Sequence, residues 1–129
     1  MAEWEKRIFA LNLIVSDLEG VKAFYRQVFG LTPLDEEEDL AIFRFGDTFV
    51  AVRHDPARPA GPSDEYLRLA QKGVGQFSIR VEDVDAVHAE LAAHGMTVID
   101  GPADRDWGMR TLTFADPGGY IWGIAQDLD

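Results

Sequence analysis

The sequence predicts an α+β fold: two pseudo-symmetric βαβββ modules forming an open half-barrel, with helices on the outer face. Three observations carry that expectation. LNLIVSDLEGVKAFYRQVFGLTPL (residues 11–34) and FSIRVEDVDAVHAELAAHGMTVI (77–99) share one plan of alternating strand, polar–acidic pair, amphipathic segment, glycine and second strand. Each copy then continues through further short strand-like runs joined by tight turns. Between the copies, HDPARPAGPS holds three of the six prolines, a linker composition. At 129 residues the chain fits one domain, divided into module one (6–54), a linker with a short helix (55–73) and module two (74–129).

The elements follow in order. LNLIV reads as the first strand. Ser16 and Glu19 have the spacing of a capping box, in which two orphaned N–H groups find partners. Leu18, Val21, Tyr25 and Val28 then line one helical stripe, and Gly30 sits where the helix ends in a left-handed residue. Strands are expected at 31–36, 40–45 and 48–53, with Gly46–Asp47 as a turn; DEEED (35–39) falls at a hairpin tip as a solvated acidic turn. A short helix over Asp64–Lys72 is stopped by Gly73. In the second copy Val84, Val87 and Leu91 repeat the stripe, Gly95 repeats Gly30, and strands are expected at 96–100, 109–115 and 120–126 around the Asp116–Gly119 turn. A helix covers only one face of its sheet. The other face needs a second sheet or a ligand, so the inner wall of the half-barrel is the natural binding site.

Composition narrows the classes. Without cysteine there is no disulfide, thiolate metal site or cysteine nucleophile, which fits a reducing cytoplasm. Twelve basic and 23 acidic residues give a net charge of −11, which disfavours nucleic acid as partner and favours a neutral or cationic ligand. No apolar run reaches membrane-spanning length, and the N-terminus, with early acids and Asn12 inside its short apolar run, reads as a first strand, not as an export signal. No serine stands in a nucleophile elbow, and DPGGY lacks the helix and lysine of a phosphate cradle.

The motifs VSDLEGVKAFYRQVFGL (15–31), VEDVDAVHAEL (81–91) and WGMRTLTFADPGGYIWGIAQ (107–126) resemble the vicinal-oxygen-chelate superfamily of glyoxalases, bleomycin-resistance proteins and dioxygenases. Its enzymes usually hold a divalent metal through His and Glu on four inner strands. Carried over by position, those sites fall at Ala10, Val52 (give or take one residue), Gln76 and Gly123. Three of these side chains have no lone pair to give and Gln76 offers only a neutral carbonyl, so no metal and no other cofactor is expected. The resemblance also implies a homodimer in which modules of two chains close each cavity. The expected function is therefore metal-independent sequestration of a planar small molecule, as in antibiotic resistance. The alternative is a lyase, isomerase or dioxygenase with relocated ligands.

Candidate ligand contacts follow from that reading. Trp107, before an inner strand, offers a flat π-face for stacking. Asn12 and Gln76, with Ser78, supply neutral hydrogen-bonding groups, and Gly123 leaves space. Phe45 and Val52 add wall, and His54 is either a polar contact at the cavity mouth or a solvent-exposed histidine. His88 on an exposed helical position and His94 at a helix end read as structural. Trp122 should face a helix, and Arg110 should pair with an acid such as Asp116.

Overall fold

Side chains along β1 (Ala10–Val15) alternate between core and open face, with Leu13 and Val15 buried and Asn12 and Ile14 exposed. This alternation sets the architecture of the computed structural model, which describes residues 2–59, 61–71 and 75–129. β1 leads into α1 (Leu18–Gln27), then β2 (Asp35–Glu37), β3 (Leu40–Phe45) and β4 (Thr48–His54). The linker carries α2 (Asp64–Ala70); Lys72, Gly73 and Val74, expected to end that helix and open module two, lie outside the described residues. Module two repeats the order with β5 (Phe77–Arg80), α3 (Val84–Ala93), β6 (Val98–Asp104), β7 (Met109–Ala115) and β8 (Ile121–Asp127).

Each module is one four-stranded sheet, ordered β1-β4-β3-β2 and β5-β8-β7-β6, with the first pair parallel and the others antiparallel. The equivalence extends to register: Asn12 lies beside Ala51 as Ser78 lies beside Gly123. Neither sheet closes into a barrel.

The two module helices, α1 and α3, are capped by aspartate. Asp17 accepts from Gly20 N–H and Asp83 from Ala86 N–H, each satisfying an otherwise unpaired amide. The capping box expected at Ser16 and Glu19 is thus corrected: the cap is one residue later, and Glu19 instead pairs with Lys22 at 2.7 Å. Gly30 and Gly95 take positive φ values of 69° and 73°, as the ends of α1 and α3 require.

The two modules meet through the helix-bearing sides of their sheets. Phe24 of α1 packs on Phe114 of β7, and Trp122 of β8 packs among Tyr25, Phe29 and Phe45. Trp122 faces the helices as expected and is 3% exposed. Its indole N–H donates to Asp116 Oδ2 at 2.8 Å, while Asp116 Oδ1 accepts from the backbone N–H groups of Gly118 and Tyr120. Burial raises the Asp116 carboxyl above its ordinary range, against those donors. Arg110 is not its partner; it pairs with Asp85 at 2.9 Å and Asp104 at 3.0 Å, because it stands at the start of β7 and the Asp116 turn follows that strand's far end. The Tyr120 hydroxyl accepts from the Ile14 N–H and donates to the Ile14 carbonyl, tying module two to the edge strand of module one.

With their helix sides joined in one core, both sheets leave the opposite face open.

Candidate functional site

A cleft of about 500 Å³ lies on the open face of β5-β8-β7-β6. Pleating selects its floor. Leu112 and Phe114 of β7 point into the core, so Thr111 and Thr113 point into the cleft, beside Gly123 of β8 and Ser78 of β5. Gln76, just before β5, completes the floor, and its Oε1 is buried without a hydrogen-bond partner. Gly123 is close-packed by these neighbours: a Cβ there would lie 2.9 Å from Gln76 Nε2 and 3.1 Å from Ser78 Oγ. The space expected for a ligand at Gly123 is therefore taken by the Gln76 amide, a correction that makes the floor polar and flat.

β6 makes the wall. Two register shifts, between Val98 and Asp100 and between Asp100 and Ala103, bend it out of the sheet. The turn from Arg105 to Met109 closes with Arg105 N–H on the Met109 carbonyl at 2.7 Å, and it holds Trp107 out at 67% exposure. Arg105 is fixed by Nε on Thr111 Oγ1 at 2.9 Å and Nη2 on Asp100 Oδ2 at 3.0 Å. Arg80 stands on β5, the opposite edge strand.

Of the candidate residues, Trp107, Gln76, Ser78 and Gly123 come together in this cleft. Asn12 does not: it is exposed on the open face of the other sheet, and no residue lining the cleft comes from module one. Within one chain the cleft is therefore built from module two and, through Gln71, the linker, because the modules join through their helix sides. Val52 is fully buried on the helix side, and Phe45 stacks on Trp122 at 5.5 Å. Both were expected on the inner wall and both are corrected by strand parity; Ala51 holds the open-face position in β4. His54 is exposed at the end of β4, where with Asp17, Glu19, Glu38 and Asp39 it lines a separate acidic cleft. His88 is half-buried on α3, not exposed, and His94 caps that helix.

Sequence reasoning missed Arg80, Asp100, Arg105, Met109, Thr111 and Thr113. The alternation in MRTLTF, with Leu112 and Phe114 apolar, marks three of them as open-face residues.

A model of the Glyoxalase/Bleomycin resistance protein/Dioxygenase superfamily matches residues 7–124. The chain belongs to that superfamily. Among solved structures, superfamily likeness extends to TnmS3, an antibiotic binding protein from Streptomyces sp. CB03234, at TM-score 0.73 and 26% identity, covering 98% of this chain and 99% of that one. The glyoxalase family protein from Enterococcus faecalis gives TM-score 0.76 at 22% identity, covering 95% and 98%, a likeness of fold. The metallothiol transferase FosB of Lysinibacillus sphaericus is 26% identical over 118 residues, 88% of this chain and 79% of that protein. The CFP32 proteins of Mycobacterium bovis and Mycobacterium tuberculosis are 31% identical over 108 residues, 81% of this chain. The chain spans 38% of their length.

The divalent metal that superfamily enzymes usually hold does not fit the residues present. Ala10 and Gly123 have no donor atom, Val52 is turned into the core with Ala51 in its place, and the Gln76 carbonyl is neutral. Among the described residues, no three His, Cys, Asp or Glu side chains gather to hold an ion elsewhere. No helix among them is long and apolar enough to cross a membrane.

Proposed function

We propose that this chain is a metal-independent small-molecule binding protein that sequesters a planar aromatic compound in the cleft of module two. One observation carries the reading. The floor where a superfamily metal would sit is built from Gln76, Ser78, Thr113 and Gly123, neutral groups that can orient a ligand but cannot polarise one as a divalent cation does. Beside that floor Trp107 offers a flat, solvent-facing π-surface, the residue type best suited to stacking on a planar ring. The likeness to an antibiotic binding protein over nearly the whole of both chains supports a sequestering role of the kind that confers resistance.

The working unit in this proposal is a cytoplasmic homodimer. The open face of module one carries Asn12 and Ile14, the latter 44% exposed. Seating that face over the cleft of a second copy would bring Asn12 to a ligand and bury both surfaces.

Tryptophan fluorescence tests the reading. Trp4→Phe removes the other exposed indole and leaves Trp107 as the reporting group, since Trp122 is buried. Titration with planar aromatic compounds should then quench or shift emission saturably, and Trp107→Phe should abolish the change. Emission unaltered across a broad aromatic and antibiotic set would reject sequestration. A stoichiometric metal whose chelation abolishes binding would instead favour a metal-dependent lyase, isomerase or dioxygenase.

A further inference from the structure

The chain carries a net charge of −11, yet the rims of the module-two cleft are basic. Arg80 and Arg105 stand on opposite sides of it, at the two edge strands of the sheet. The geometry points to a planar aromatic ring bearing a carboxylate as the ligand class, with Arg105 receiving the carboxylate and Trp107 the ring; this rests on the binding role proposed above for the same cleft.

Arg105 is prepared for that role. Its side chain is 23% exposed and held on two sides, by Thr111 Oγ1 and Asp100 Oδ2. Fixing a guanidinium in advance removes most of the rotamer entropy that a flexible cation loses on binding. Among the described residues no acceptor engages Nη1, so the fork keeps donors for a ligand oxyanion. Asp100, the acid among the described lining residues, already accepts from Arg105 through its Oδ2, which offsets its charge toward a cationic ligand. Arg80 is 72% exposed and pairs with Asp127 only at 3.5 Å, which leaves it able to swing toward an anion. Trp107 follows Arg105 by two residues in the same turn, so a ring on the indole places a ring substituent near the guanidinium.

Three matched probes decide the matter: 2-naphthoate, 2-naphthamide and 2-naphthyltrimethylammonium, titrated into the full chain by calorimetry at low and high salt. Naphthoate should bind at least about tenfold more tightly than the isosteric amide at low salt, with the gap narrowing as salt rises. Arg105→Gln should erase the gap by weakening naphthoate far more than naphthamide, and Arg80→Gln should narrow it by a smaller factor. Equal binding of naphthoate and naphthamide, or tighter binding of the trimethylammonium probe, overturns the anion assignment while leaving the cleft a binding site. Failure of all three to bind overturns both.

Discussion

The two modules share a chain path and the register of their parallel strand pair, but among the described residues only module two carries a cleft on the open face of its sheet. Ala51 and Gly123 occupy equivalent open-face positions, beside Asn12 and Ser78 respectively. The difference lies in the last strand of each sheet. β2 has three exposed residues in regular register with β3. β6 has seven residues and two register shifts, and it ends in the turn that presents Arg105 and Trp107. A regular short edge leaves a sheet open, whereas a bulged long edge bends over it and makes a wall. Duplication thus supplied two platforms, and edge-strand irregularity turned one into a cleft.

The comparison can be broken most forcefully at the joint between the platforms. Trp122→Ala should cost roughly 3–5 kcal/mol in chemical denaturation, because it empties the shared core where Tyr25, Phe29 and Phe45 converge. Gly101→Ala attacks the bulge directly. Gly101 has φ +83°, and a side chain there would run into the Thr111 backbone carbonyl. Stability should fall by about 1–3 kcal/mol, and ligand affinity should fall further than stability explains. No comparable backbone clash stands in module one.

Parity supplies a sharper contrast within β4. Val52→Ala should cost roughly 2 kcal/mol in urea denaturation, since Val52 is fully buried. Ala51→Ser, one residue away on the open face, should stay within about 0.5 kcal/mol of the parent. Similar losses for both would mean that the β1–β4 register is wrong. The smallest stability effect belongs to Trp107→Ala, expected within about 0.5 kcal/mol because the ring is 67% exposed, while affinity for planar aromatic probes drops by about tenfold.

Much of the fold was legible in the sequence. Period-2 alternation located β3, β4, β7 and β8 to within a residue or so at each end, and the stripes at Leu18, Val21, Tyr25 and at Val84, Leu91 identified the helix faces that are buried. Gly30 and Gly95 announced helix ends by the one conformation that glycine adopts freely. The site was less legible, for two physical reasons. A strand reverses its facing with each residue, so matching Val52 to Gly123 through the internal repeat, one step from Ala51, moved a candidate from open face to core. Phe45 failed similarly, because alternation says which residues share a face but not which face meets the helix. The joining of modules through their helix sides also had no signature in either copy alone. It separates Asn12 from Gln76, which a simple curl of two sheets would have brought together. Arg105 was hidden because its importance comes from the bulged strand before it and from Thr111 and Asp100, contacts that no periodicity encodes.

Calorimetric titration of a planar aromatic probe into protein stripped with a chelator, and again into protein supplied with Mn²⁺, Ni²⁺ or Zn²⁺, separates neutral-floor recognition from metal-centred recognition in one experiment. The affinity should be the same in all samples, and Trp107→Ala should weaken it in each. Binding that vanishes on chelation and returns with one of these ions would contradict a cleft whose floor is Gln76, Ser78, Thr113 and Gly123 acting without a metal.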